Sequence, residues 1–114
     1  MELKVKVNII DEADKSITGP GIIQLLDLLK EEKSLNKASK RMNISYVKAK
    51  RLLDQMEEKL GKKILIRRRG GVDRGGTELS EFGLKYLAEF KKMKEKIEDF
   101  SKIQFASFLK VIDL

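Results

Sequence analysis

Between residues 33 and 51 every charged side chain is cationic: Lys33, Lys37, Lys40, Arg41, Lys48, Lys50 and Arg51. A second basic group lies within residues 62–74, where Arg67, Arg68, Arg69 and Arg74 stand among glycines. Guanidinium and ammonium groups donate hydrogen bonds to guanine O6 and N7 and pair with phosphate oxygens. The rest of the chain is net acidic, although the whole carries +7. A positive field concentrated in this way points to a polyanionic partner, and most directly to nucleic acid. Composition removes other chemistries. With no histidine and no cysteine, the commonest general base, the commonest metal ligand and the thiolate are all missing. No convergent cluster of Asp, Glu, Lys or Ser stands in for them. The expectation is a non-enzymatic chain with no cofactor and no metal.

The basic side chains need elements to aim them, and the spacing supplies these. Ser34 reads as a helix N-cap, with Leu35, Ala38 and Met42 facing inward behind it. Asn43 falls at a turn that calls for a residue tolerant of positive φ. Ser45 caps the next helix, whose buried stripe is Ala49, Leu52 or Leu53, Met56 and Leu60, and Gly61 closes it. Tyr46, Val47, Lys48, Lys50 and Arg51 face outward. Residues 63–68 read as a strand, 70–76 as a glycine-rich tip and 77–79 as a returning strand. Helix, turn, helix, strand, loop, strand is the order of a winged helix-turn-helix. In that fold the second helix lies in the major groove, with residues near its N-terminus at the base edges.

Lys48, Lys50, Arg51 and Tyr46 are therefore the expected specificity residues, with Val47 against a thymine methyl or a sugar. Ser34, Asn36 and Ser45, at helix N-termini, and Arg67, Arg68, Arg69 and Arg74 of the wing are expected on the DNA backbone. The tip "GGVDRGG" fits neither phosphate-binding glycine motif. A solvated basic helix face and an ordinary hairpin turn are the plain alternatives.

The flanks complete one domain over residues 1–114. Alternation across residues 3–10, a "DEAD" turn and residues 15–18 predict an N-terminal β-hairpin over 1–18. "GPG" then launches a core helix bearing Ile22, Ile23, Leu25, Leu26, Leu28 and Leu29. Residues 20–79 form the reading head and wing. Ser80 caps a long helix in which Phe82, Tyr86, Phe90, Met93, Ile97 and Phe100 recur at spacings of three and four. That spacing makes a narrow apolar seam. The helix is core up to about Tyr86 and outruns the domain beyond Phe90. Tyr86, Phe90, Met93, Ile97 and Phe100 are the expected homodimer interface within residues 80–114. Residues 101–114 either extend the helix or pack back. The fold class is mainly α with a small β-sheet: a winged helix-turn-helix with an N-terminal β-hairpin and a long C-terminal dimerisation helix. No apolar run approaches about 18 residues and no apolar leader is present, so a cytoplasmic chain without membrane contact is expected.

The stretches "GPGIIQLLDLL", "KSLNKASKRMNISYVKAKRLLDQM" and "ILIRRRGGVDRGGTELSEFG" resemble the N-terminal DNA-binding domain of molybdate-responsive ModE regulators. The resemblance covers roughly residues 19–90, and the "ISY" turn and the double-glycine wing favour it. The interval from Ser45 to Gly61, with Leu53, Met56 and Glu57 between, is also similar to the LysR-type reading head. The resemblance implies a homodimeric transcriptional regulator that binds double-stranded DNA sequence-specifically. ModE proteins carry molybdate-binding domains after the long helix; this sequence stops there, so no oxyanion sensor follows from the match. Ser39, Asn43 and Lys50 replace the family's usual alanine, glycine and aromatic, which implies a different target sequence. Two rival expectations are a winged helix used for protein contact and an RNA-binding one. An aromatic content of 6% argues against single-strand stacking.

Overall fold

The computed structural model describes residues 1–67 and 76–114. The chain opens with a short antiparallel hairpin, β1 (Ile9–Ile10) and β2 (Ser16–Thr18), with Ile9 opposite Thr18 and Ile10 opposite Ser16. The Asp11 carboxylate accepts the backbone N–H groups of Ala13 and Lys15, both at 2.9 Å, and Asp14 takes a positive φ of 63° to close the turn. These hydrogen bonds, that from Lys15 foremost, together with the nearby Lys59 charge, lower the Asp11 pKa. The ladder is shorter than the alternation over residues 3–10 suggests. Val5, Val7 and Ile9 are indeed half-buried between exposed neighbours, but residues 1–8 form no strand. Their would-be partner strand ends at Thr18, because Pro20 has no N–H to donate and already starts a helix.

That helix, α1 (Pro20–Glu32), buries Ile23, Leu25, Leu26, Leu28 and Leu29 and ends at Lys33 in the left-handed region. The second, α2 (Leu35–Arg41), starts where the Ser34 hydroxyl accepts the Lys37 N–H at 3.1 Å. Asn43 carries the turn with φ 59°, as expected for a side chain that tolerates left-handed backbone. The third, α3 (Tyr46–Leu60), is capped by the Ser45 hydroxyl on the Lys48 N–H at 3.0 Å and closed by Gly61 at φ 65°. Its buried stripe is Ala49, Leu53 and Met56; Leu53 rather than Leu52 faces the core.

A second hairpin, β3 (Leu65–Arg67) and β4 (Thr77–Leu79), pairs Leu65 with Leu79, Ile66 with Glu78 and Arg67 with Thr77. The sequence suggested that this strand begins at residue 63. Instead Ile64 stands outside the ladder: its N–H donates to the Glu57 carboxylate and its carbonyl accepts the Ser80 N–H. The last helix, α4 (Glu81–Val111), begins at Ser80, whose hydroxyl accepts the Gly83 N–H at 2.9 Å and donates to the Lys63 carbonyl.

The core sits around α1. Leu25, Leu26 and Leu29 are fully enclosed by Leu35, Ala38, Ala49, Leu53, Met56, Ile64, Leu79, Leu87 and Phe90. Each large side chain buried there contributes about 1.5–3 kcal/mol. The 31-residue α4 runs about 46 Å at 1.5 Å per residue. Only Gly83, Leu87 and Phe90 of it are buried, so its first third packs on the domain and the remainder projects. The molecule therefore measures 63 × 30 × 25 Å. Residues 101–111 extend the helix, the first of the two courses open to that segment. Among the described residues no helix is long and apolar enough to cross a membrane.

Gly83 shows how tightly α4 meets the wing. A Cβ there would lie 2.9 Å from the Ile64 carbonyl oxygen, a backbone atom that cannot swing aside, whereas at Gly21 it would meet nothing within 4 Å. Alanine in place of an exposed helical glycine normally stabilises by about 0.5–1 kcal/mol. Gly21→Ala should therefore be neutral or stabilising in urea denaturation, while Gly83→Ala should lose about 1–3 kcal/mol through overpacking. Equal stability of the two variants would contradict the contact described.

Candidate nucleic-acid interface

Two helix N-termini and one hairpin converge on a single face. The hydroxyls of Ser34 and Ser45 serve as N-caps, so each satisfies one amide of its own helix. The amides of Asn36, Tyr46 and Val47 have no partner among the described residues. They remain available to an anion at the positive ends of the helices. The Asn36 side chain is exposed beside them.

Along the first half of α3, Val47 is 73% exposed and Tyr46 43%, and Lys48 and Arg51 are also exposed. Lys48 and Arg51 form no ion pair among the described residues. Lys50 differs from its neighbours. It is half-buried, and its ammonium is paired with Asp54 one turn along. Arg41, also in the basic stretch, turns back to Glu31 and Glu32, each at 3.1 Å. These acceptors, Glu31 first, raise its pKa above the ordinary value. Among the described residues the cations of 33–51 thus divide into free and internally paired groups; the i,i+4 spacing announces Lys50–Asp54, whereas the turn of Arg41 back to Glu31 and Glu32 depends on the fold.

A cleft of about 420 Å³ separates α3 from the wing, lined by Leu35, Tyr46, Lys50, Glu57, Lys63, Leu65, Arg67 and Thr77. Arg67, at the end of β3, is exposed. Arg68, Arg69 and Arg74, expected on the wing, lie outside the described residues. Thr77 anchors the returning strand: its N–H donates to the Lys33 carbonyl at 3.1 Å, and its hydroxyl accepts the Leu35 N–H at 3.4 Å. Glu57 anchors the outgoing strand through the amides of Ile64 and Leu65, at 2.8 and 3.1 Å. Sequence reasoning did not give Glu57 or Thr77 a role. A signal for Glu57 exists: a carboxylate sits at the core-facing spacing between Leu53 and Leu60, where an apolar residue is expected unless the group has donors to meet.

The seam along α4 divides in the same manner. Phe90 is 4% exposed, and the Tyr86 hydroxyl is hydrogen-bonded to that of Thr18. Both therefore pack within the chain's own domain rather than standing free. Met93, Ile97 and Phe100 are 40%, 39% and 61% exposed, and Ile103, Phe108 and Val111 continue the exposed apolar surface. Among the described residues no group of acidic side chains is placed to hold a metal ion.

Residues 22–84, more than half of the chain, match the bacterial regulatory helix-turn-helix proteins of the lysR family, and the chain belongs to that family. It is a helix-turn-helix DNA-binding regulator domain, not an enzyme. It is also similar to the molybdenum transport protein ModE of Azotobacter vinelandii, 32% identical over 69 residues. That alignment covers 60% of this chain and 26% of the relative, so the chain spans about a quarter of its length. Among solved structures, the CbnR DNA-binding domain–DNA complex superposes with a TM-score of 0.58 at 21% identity, covering 75% of this chain and 92% of that one. Vibrio fischeri DarR in complex with DNA gives 0.54 at 19%, covering 76% and 28%. These likenesses establish the winged helix-turn-helix fold.

The turn between α2 and α3 fixes where the exposed side chains point, and Asn43 alone among its residues has positive φ. Asn43→Gly should leave stability within about 0.5 kcal/mol of the unaltered chain, whereas Asn43→Val should lose about 1–2 kcal/mol or more, because a branched Cβ is strained there. Chemical denaturation of the two variants decides this; a valine variant as stable as the glycine one would show that the turn relaxes.

Proposed function

We propose that this chain binds duplex DNA sequence-specifically as a homodimer and regulates transcription by occupying a site near a promoter. The observation that carries the reading is the exposed first half of α3. There Lys48 and Arg51 are free of ion pairs among the described residues, beside exposed Tyr46 and Val47 and at the positive end of a capped helix. The CbnR and DarR structures are complexes with DNA, which supports the same use of the fold here. In this reading α3 enters the major groove and Arg51 and Lys48 donate to base edges. Lys50 joins them by leaving Asp54. Asn36, the N-termini at Ser34 and Ser45, and Arg67 hold the sugar-phosphate backbone. Arg68, Arg69 and Arg74, outside the described residues, are proposed as further backbone contacts.

The dimer is made by the projecting part of α4, with Met93, Ile97 and Phe100 facing the same side chains of a second copy. Tyr86 and Phe90 support that seam from within each domain. Two heads related by two-fold symmetry read an approximately palindromic site. The similarity to ModE supports a ModE-like reading head, and Lys50, on α3 where the family carries an aromatic, gives it a target sequence of its own.

Selection of bound sequences from a random duplex library, repeated across a salt series, tests the whole reading. The expected result is an enriched palindrome with affinity falling steeply as salt rises. Salt-sensitive binding without an enriched motif would instead indicate backbone recognition alone, and absence of binding would favour a protein-contact role. Within that assay Arg51→Ala should lose about 1–3 kcal/mol on the preferred site and relax selection at one base pair, while Arg67→Ala should weaken all sequences alike. An unchanged base preference in Arg51→Ala would remove that residue from the specificity set.

Ile97→Glu should convert the dimer to monomer in sedimentation equilibrium and weaken binding to a two-half-site duplex far more than to a single half-site. A chain that is monomeric before substitution rules out this interface.

A further inference from the structure

Glu57 is the acidic residue in a cleft whose other charged lining groups, Lys50, Lys63 and Arg67, are all basic. A carboxylate there works against phosphate binding, so its placement calls for a different reason. Its side chain is 15% exposed and does not point to solvent. One carboxylate oxygen accepts the N–H groups of Ile64 and Leu65 at 2.8 and 3.1 Å, and the other lies 3.9 Å from the Lys63 ammonium. Its backbone carbonyl accepts the Gly61 N–H at 2.8 Å. Both ends of the residue thus govern the passage from α3 into β3.

We propose that Glu57 is a positioning residue for DNA binding: it fastens the start of β3 to α3, so that Arg67 meets the backbone in fixed register with Lys48 and Arg51. The inference rests on the duplex-binding reading given above. Glu57 touches no DNA in this arrangement. It acts through the strand, ten residues along the chain from its own position to Arg67, by removing the freedom of the wing to hinge away from the recognition helix. The opposite strand is already secured by Thr77 on the turn between α1 and α2, which leaves β3 as the side that needs the second anchor.

Two conservative variants separate geometry from charge. Glu57→Gln keeps an acceptor oxygen at the same reach and removes the charge. Glu57→Asp keeps the charge and withdraws it by one methylene. Positioning predicts that Glu57→Gln binds duplex like the unaltered chain, while Glu57→Asp binds about three- to tenfold more weakly. In the Glu57→Asp background, Arg67→Ala should then have little further effect, because the two act as a unit. Without DNA, Glu57→Asp should raise hydrogen exchange at the Ile64 and Leu65 amides and leave α1 protection unchanged. The reverse order, with Glu57→Gln altered and Glu57→Asp normal, overturns the proposal in favour of a purely electrostatic role. Additive losses for Glu57→Asp and Arg67→Ala also overturn it. Absence of duplex binding by the unaltered chain would defeat the reading on which the proposal rests, whatever the exchange data show of the anchor itself.

Discussion

The backbone of Ile64 is the point on which the molecule turns. Its side chain is fully buried, its N–H is held by Glu57 of the recognition helix, and its carbonyl accepts the N–H of Ser80, the cap of α4. Gly83 packs directly on that carbonyl. A buried peptide unit outside a β-ladder must find donors and acceptors elsewhere, and each one left unmet costs about 1–3 kcal/mol. Here the two partners come from the two functional helices. One residue's satisfied backbone therefore fixes β3, α3 and α4 relative to one another. Displacement of any one of the three exposes the polar groups that tie the other two.

That junction also explains which parts of the fold were legible in the sequence. Caps and turns are local events. Ser34, Ser45 and Ser80 each bond an amide three residues ahead, while Asn43 and Gly61 carry positive φ; residue type and spacing announce all of these without reference to the rest of the chain. The order of helices and strands follows from them. Residues 3–10 show the opposite case. Their alternation describes two faces correctly but says nothing of a partner, and Pro20 removes the partner that a longer strand would need. Likewise the spacing of Tyr86, Phe90, Met93, Ile97 and Phe100 identifies one stripe. It does not locate the place along that stripe where the chain's own core stops, which depends on how far α1 and β2 reach.

Side chains that act across elements were the hardest to foresee. Glu57 meets amides seven and eight residues later, Thr77 meets the turn 42 residues earlier, and Tyr86 meets Thr18 68 residues away. None of these is a periodicity. Each is set by which surfaces the core brings together, and the sequence reports the polar residue without its destination. Long-range hydrogen bonds of this kind are specified jointly with packing.

Ion pairing refines what the basic composition means for recognition. Arg41 is committed to Glu31 and Glu32, and Lys50 to Asp54, so the potential over this face comes chiefly from the cations that have no ion pair among the described residues. The commitments differ in strength. Arg41 has two carboxylates, whereas Lys50 has one exposed partner four residues along its own helix, an arrangement worth about 0.3–0.5 kcal/mol. A good base contact is worth about 1–3 kcal/mol. In the proposed duplex-binding reading, Lys50 exchanges Asp54 for a matching base but gains little from an unselective phosphate contact screened by salt. In that reading Asp54 penalises indiscriminate binding more, in proportion, than specific binding. An acidic residue one turn behind a basic one on the recognition helix in this way raises the ratio between the right sequence and all others, the quantity on which a regulator depends.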